Sequence, residues 1–247
     1  EARGLSIPEV GTTRFRPPYS PVAIGAFAGH ERGQAFQPTR RNAMHRCHEE
    51  LGAVFVEAGQ WVRPQFYPKY GEDVMQAIWR ESAQVRQTAG ICDVSTLGKI
   101  EIFGPDAAEF LNRLYINGWK LLAPGKARYG LMLREDGYVL DDGTTSRLAD
   151  DHFFMTTTTA NAARVLAHME HYSQVVWPDL DVHFCSATEQ WCGVAVAGPN
   201  ARKILDAAFA GAQDMSDDAL PFMGVREFEW KGVRTRIFRI SFSGELA

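Results

Sequence analysis

The chain has 247 residues, 45% of them hydrophobic and 23% charged, with a formal net charge of −4. That length allows one large or two small domains with a real core, and the composition is ordinary for a soluble globular protein. The acidic balance excludes the basic footprint of a nucleic-acid binder and a polybasic membrane patch, and no apolar run approaches the roughly 18 residues that span a bilayer.

Residues 1–37 hold Pro8, Pro17, Pro18 and Pro21 among several glycines, with no sustained period. They read as a lead-in or linker. Phe15, Tyr19, Phe27 and Phe36 predict that it docks on something, since a free tail carries fewer aromatics. Over 44–55 a short helix is predicted to run into a strand. Val74, Ala77, Ile78 and Val85 within 72–88 fit an amphipathic helix, with Gly90 as its C-terminal cap. A strand over 99–103 follows. Gly104-Pro105-Asp106 then opens a helix to about Tyr115, where proline suits the first turn. Segments 127–134 and 138–148 read as strands joined at Glu135-Asp136-Gly137, a hairpin signal. A strand is predicted over 152–158 and a helix over 161–172, with Asn161 suited to cap it.

Strands are predicted over 182–187 and 190–196. Gly198-Pro199-Asn200 opens a helix to about Phe209, and 225–230 with 233–242 forms a hairpin around Lys231-Gly232. Phe103-Gly-Pro-Asp-Ala107 and Ala197-Gly-Pro-Asn-Ala201 echo each other, each following a strand and starting a helix. The expected fold class is α+β, two similar half-domains of antiparallel sheet with helices packed on one face. The expected divisions are 1–37, 38–178 and 179–247.

The chemistry centres on Asp141 and Asp142, which close an apolar strand-like run just after a turn. Neighbours on a strand point to opposite faces, so one acid can meet water while the other meets a pocket. Acids beside a turn are ordinarily surface features. Cys47, Cys92, Cys185 and Cys192 form no Cys-x-x-Cys pair and predict scattered thiols in a reducing compartment, cytoplasmic by default. The N-terminus lacks the layout of a secretory signal. His45, Cys47 and His48 are the one cluster with ligand-like chemistry. Their spacing does not suit zinc, so no metal site is expected and a partly exposed helix face is. No Gly-x-Gly-x-x-Gly follows a strand, so no dinucleotide site is expected. The Thr156–Thr159 run favours a strand over a phosphate loop, and Cys92, with no histidine near it in sequence, is not expected to be a nucleophile.

In order along the chain stand Pro38-Thr-Arg-Arg-Asn-Ala-Met-His45, Gly52-Ala-Val-Phe55, Gly59-Gln-Trp61, Asp93-Val-Ser95, Gly104-Pro105, Asp141-Asp142, Val196-Ala-Gly-Pro199 and Arg239-Ile-Ser-Phe-Ser-Gly-Glu245. Over about residues 38–247 the chain resembles the aminomethyltransferase (glycine-cleavage T-protein) family. A closer resemblance is to the alpha subunits of bacterial heterotetrameric sarcosine oxidases. It is carried by Phe15-Arg-Pro-Pro-Tyr-Ser-Pro-Val22, Ser95-Thr-Leu-Gly-Lys-Ile100, Arg128-Tyr-Gly-Leu-Met-Leu-Arg-Glu-Asp-Gly137 and Met155-Thr-Thr-Thr-Thr159.

The resemblance implies a tetrahydrofolate-binding segment of an oxidoreductase, which takes the one-carbon unit from sarcosine oxidation to form 5,10-methylenetetrahydrofolate. It makes Asp142 the catalytic carboxylate, near the reactive nitrogens, where an acid can hold a cation or assist proton movement. Glu245 becomes the pterin-holding acid, able to accept two N–H groups in a fork. Leu97, Tyr129, Phe154 and Thr156 line the cleft, and Arg239 can face anionic folate glutamates. Asp141 is expected to point outward. FAD, FMN and NAD are expected in the whole complex and not on this segment. The expected partners are a flavin-binding beta subunit and the other subunits. Trp61 and the aromatics of 1–37 are candidate contacts. The chain does not begin with Met and stops inside the Gly-Glu motif. A piece of a longer subunit without the family's small C-terminal β-barrel is therefore expected, and its activity by itself is left open. The alternatives are an aminomethyltransferase of the glycine cleavage system, which the 15–22 lead-in and Thr96 oppose, and a non-catalytic folate-binding assembly module.

Overall fold

The computed structural model describes residues 39–247, and the lead-in expected over 1–37, with its aromatics, lies outside the described residues. Residues 40–247 form a compact unit. Helix α1 (His45–Glu50) precedes an antiparallel hairpin of β1 (Val54–Ala58) and β2 (Trp61–Phe66). Trp61 does not offer a contact surface as expected. It is buried, with the Arg40 guanidinium 4.1 Å from its ring centroid. Helix α2 (Val74–Gln87) begins with a reciprocal cap: Gln76 N–H donates to Asp73 Oδ1 at 2.9 Å, and Asp73 N–H donates to Gln76 Oε1 at 3.0 Å. This satisfies amides that a helix start leaves orphaned. The helix ends at Thr88 and not at Gly90, which is the first residue of β3 (Gly90–Asp93).

The order continues β4 (Gly98–Phe103), α3 (Ala107–Leu114), β5 (Lys126–Leu133), β6 (Val139–Ala149), β7 (His152–Thr157) and α4 (Ala162–His171). It closes with β8 (His183–Ser186), β9 (Val194–Ala197), α5 (Ala201–Phe209), β10 (Val225–Trp230) and β11 (Val233–Phe238). Five strands form an antiparallel sheet in the order β5-β6-β7-β4-β8. Alternation sends Ile100, Ile102, Met132, Phe153 and Met155 to one face. There they pack against Phe110, Leu111 and Leu114 of α3 and Val165 and Met169 of α4. Helices therefore cover one face of this sheet, as expected of the α+β pattern.

The opposite face is partly closed by the β10–β11 hairpin and by Trp191. Phe154 stacks on Phe238 at 5.8 Å and meets Trp191 edge-on at 6.2 Å. The Arg236 guanidinium lies between two rings, 4.7 Å from the Phe154 centroid and 4.3 Å from that of Trp191. It also pairs with Glu101 and Glu227, each at 2.6 Å. These ion pairs offset the cost of taking the guanidinium out of water.

Two of the strands after residue 178 complete sheets begun before it, while β10 and β11 pair with each other. β8 adds to the edge beside β4, and β9 pairs with β3. Of the strand expected over 190–196, only 194–196 forms, within β9, and Gly193 N–H donates instead to Ser95 Oγ at 3.0 Å. The echoed motifs do fold alike. Gly104 and Gly198 have φ of 122° and 115°, and Asp106 and Asn200 then share nearly the same backbone (φ −97°, ψ 7° and φ −95°, ψ 4°).

Gly143 follows the acid pair for a steric reason. A Cβ there would stand 2.0 Å from the carbonyl oxygen of Thr156 on the neighbouring strand, where nothing flexible can yield. Gly143→Ala is expected to lower stability in urea denaturation by about 3 kcal/mol, the upper end of ordinary overpacking. A loss below about 1 kcal/mol would show that the strands separate easily at this point.

Candidate functional site

Strand β6 carries both acids, and its register settles their directions. Asp141 lies opposite Met132 and Asp142 opposite Leu131. Met132 is in the helix-covered core, so Asp141 points there too. It is 4% exposed and not the outward acid expected. A buried carboxylate needs donors, and it has three. Thr158 gives its N–H at 3.1 Å and its hydroxyl at 2.5 Å, and Asn161 gives Nδ2 at 3.1 Å. Asn161 stands at the cap position of α4, but its side chain makes no cap bond and serves Asp141 and the Leu140 carbonyl.

Asp142 faces the other way and is half-buried. The Tyr129 hydroxyl donates to its Oδ2 at 2.7 Å. Its Oδ1 takes no hydrogen bond from any described residue. The Tyr129 phenol, half exposed, has its pKa raised, chiefly by this bond to Asp142. Thr144, two residues beyond Asp142, pairs with Tyr129 across the β5–β6 ladder. Its hydroxyl lies 3.0 Å from that of Thr156, whose own register partner is Lys99. Asp142, Tyr129, Thr144, Thr156 and Lys99 therefore share the helix-free face.

The other expected site residues are placed less simply. Phe154 is on this face but 4% exposed, covered by Phe238, Trp191 and Arg236. Leu97 is half-buried at the end of a turn over 94–97 that leads into β4, its N–H donating to the Val94 carbonyl at 3.1 Å. Glu245 pairs with Arg86 of α2 at 2.8 Å and accepts the Ser243 hydroxyl at 2.5 Å. That hydroxyl, helped by Arg86, holds its carboxyl below the ordinary value. Arg239 donates to the Ala247 carbonyl at 3.0 Å. Among the described residues, no hydrogen bond or ion pair joins Glu245 or Arg239 to Asp142.

Two buried polar groupings were not foreseen. His45 and His48 are buried and not on an exposed helix face. His48 Nε2 lies 2.9 Å from Asp93 Oδ2, and its Nδ1 lies 2.7 Å from the Tyr67 hydroxyl. Asp93 also accepts Asn42 Nδ2 at 2.6 Å and Ser95 N–H at 2.8 Å. Burial pushes the Asp93 pKa up, but these donors outweigh it and leave the net shift downward. The second grouping is Lys99, 5% exposed, whose ammonium donates to the carbonyls of Ser95 (2.8 Å), Leu97 (3.0 Å) and Thr188 (3.4 Å). Burial brings its pKa down to about 8, with Cys192 and Asp93 opposing. The sequence signal was faint: one lysine inside a short apolar strand. The four cysteines are free and exposed, and no helix among the described residues is long and apolar enough to cross a membrane.

This arrangement of an antiparallel sheet with a helix-covered face has known counterparts. The GCVT N-terminal domain matches residues 44–247. A solved glycine cleavage system aminomethyltransferase T from Bartonella henselae superposes with a TM-score of 0.70 at 27% identity, over 83% of this chain and 51% of that one. The chain therefore belongs to the GCVT N-terminal domain family. Within it, the chain is 54% identical to the sarcosine oxidase subunit alpha of Rhizobium meliloti (strain 1021), over all of this chain and 25% of that protein. It is 50% identical to the subunit of that name from Corynebacterium sp. (strain U-96), over 97% of this chain and 25% of that protein. The aminomethyltransferase of Parafrankia sp. (strain EAN1pec) is 34% identical over 83% of this chain and 52% of its own. The chain thus spans about a quarter of the length of the sarcosine oxidase subunits it matches.

The lysine yields a signed pH dependence. Its folded-state pKa of about 8 lies below the ordinary 10.5, so the unfolded chain binds the extra proton between these values. Stability from this group therefore rises with pH across that window. In urea denaturation, the wild type is expected to gain stability relative to Lys99→Met between pH 8 and 10.5. A difference that stays flat would contradict the lowered pKa of Lys99.

Proposed function

We propose that this chain is the tetrahydrofolate-binding part of a sarcosine-oxidase-type alpha subunit. In this role it takes the one-carbon unit released by sarcosine oxidation and forms 5,10-methylenetetrahydrofolate. The observation that carries the reading is Asp142: a carboxylate on the bare face of the sheet, one oxygen fixed by Tyr129 and the other unengaged by described residues. The identity of 54% over the whole chain supports this reading over a free aminomethyltransferase, where the match is 34%.

The residues present fit a folate at this face. Tyr129 offers an exposed ring beside the acid, and Thr144 and Thr156 offer hydroxyls along the same row. When bound, tetrahydrofolate supplies the nitrogens that accept a one-carbon unit. Asp142 would stabilise positive charge at such a nitrogen or take its proton. The Tyr129 bond keeps the carboxylate aimed while that happens. Asp141 is held by three donors and serves the fold. Glu245 would hold the pterin: Arg86 and Ser243 each occupy one of its oxygens, which leaves a further acceptor site on each.

The assembly proposed around the chain is a cytoplasmic hetero-oligomer. Sarcosine is oxidised at a flavin-binding beta subunit, and FAD, FMN and NAD are held outside this chain.

The test uses the complete oxidase carrying Asp142→Asn, with sarcosine and tetrahydrofolate. Formation of 5,10-methylenetetrahydrofolate is expected to fall at least about 100-fold, the scale of a lost general acid–base group, while sarcosine consumption holds. Equal product formation by mutant and wild type would remove Asp142 from the chemistry.

A further inference from the structure

Lys99 is a buried cation that the proposed reaction does not use. Its ammonium has three donors and three carbonyl acceptors, and no carboxylate lies within ion-pair distance among the described residues. Two of those carbonyls, of Ser95 and Leu97, belong to the 94–97 turn. The same turn is held at its amide side by Asp93, which accepts Ser95 N–H, and by Gly193, whose N–H donates to Ser95 Oγ. Its remaining polar side chain, Thr96, is almost fully buried. The Thr96 hydroxyl lies 3.2 Å from that of Thr159, also buried. The residue before Thr159 is Thr158, which donates twice to Asp141. Asp141 is the backbone neighbour of Asp142.

We infer that Lys99 is a positioning residue for the acid pair, acting through the 94–97 turn and the Thr96–Thr159 contact on the segment that anchors Asp141. The inference rests on the proposed role of Asp142 only where it speaks of ligand. Without the ammonium, the carbonyls of Ser95 and Leu97 would be left without their donor, and a buried acceptor without a partner is costly. The turn then shifts to find donors. Thr96 moves with it, and the Thr158 grip on Asp141 loosens. Site geometry held within about 0.5 Å is what such supporting contacts provide. A chain of contacts is not itself proof of coupling, so the test measures coupling.

Amide hydrogen exchange and ligand binding are followed in the complete oxidase carrying each variant. Lys99→Met is expected to lower protection at least about tenfold at Leu97 and at Thr158, roughly the worth of one hydrogen bond, while Ile102 in the β4–β7 ladder is unchanged. Thr96→Val, which removes only the hydroxyl, is expected to expose Thr158 while leaving Leu97 protected, and it serves alone if Lys99→Met does not fold. Unchanged protection at Thr158 in the variants that fold overturns the inference. Calorimetry with 5-formyltetrahydrofolate adds the functional arm. Lys99→Met is expected to bind about tenfold more weakly than wild type, Lys99→Arg to restore most of that, and Lys99→Met to cost under about twofold in an Asp142→Asn background. Additive losses overturn the coupling to Asp142. If the wild type binds no 5-formyltetrahydrofolate, the folate reading fails, and the exchange data still decide the grip of Lys99 on the turn.

Discussion

A β-strand cannot send two consecutive side chains to the same face, and at positions 141 and 142 this divides two carboxylates between two environments. Asp141 enters the side packed by α3 and α4, where an ionised acid persists only if donors replace water. The Thr158 amide, the Thr158 hydroxyl and the Asn161 amide nitrogen do so. They also tie β6 to the start of α4, so the inner acid is an anchor. Among the described residues Asp142 has a single donor, Tyr129, and retains acceptor capacity. One strand therefore supplies an acid anchored in the core and an acid open to the bare face from adjacent positions. The division of labour follows from parity and from which face the helices occupy.

The bare face is bounded by a second constraint. Arg236 sits between the rings of Phe154 and Trp191 while its nitrogens pair with Glu101 and Glu227. Desolvating a guanidinium this far is costly unless ion pairs and aromatic faces offset it. Both are present, and Glu101 is further bonded by His152 at 2.5 Å. The result seats the β10–β11 hairpin on Glu101 of β4 and Phe154 of β7, while the Tyr129 ring beside Asp142 stays half exposed. Phe154 becomes part of the wall that holds the hairpin and not a free surface of a cleft.

Much of the architecture was legible because its causes are local. The apolar spacing of Val74, Ala77, Ile78 and Val85 marked α2. Asp136-Gly137 marked the β5–β6 hairpin, where Gly137 takes a φ of 84°. The repeated Gly-Pro-Asp and Gly-Pro-Asn openers marked two helix starts that share a backbone geometry. Other features were hidden because they join distant positions. His48 meets Asp93 across 45 residues and Tyr67 across 19, and no local pattern announces such pairings. Lys99 reads as a solvated charge until the turns around it close. Glu245 has Arg86 of α2 as its partner, which only the packing of the C-terminal segment reveals.

The amino-acid order alone established the α+β class, the sequence of elements and the presence of an acid pair on a strand, with residue types that match one family across most of the chain. These depend on periodicity, turn chemistry and residue identity, which act between near neighbours. Tertiary structure decided which acid is buried, which lysine loses its water, which strands of the later part complete the earlier sheets, and which aromatic becomes a wall. Each of those turns on what covers a given face, and a face is covered by segments that sequence distance keeps apart.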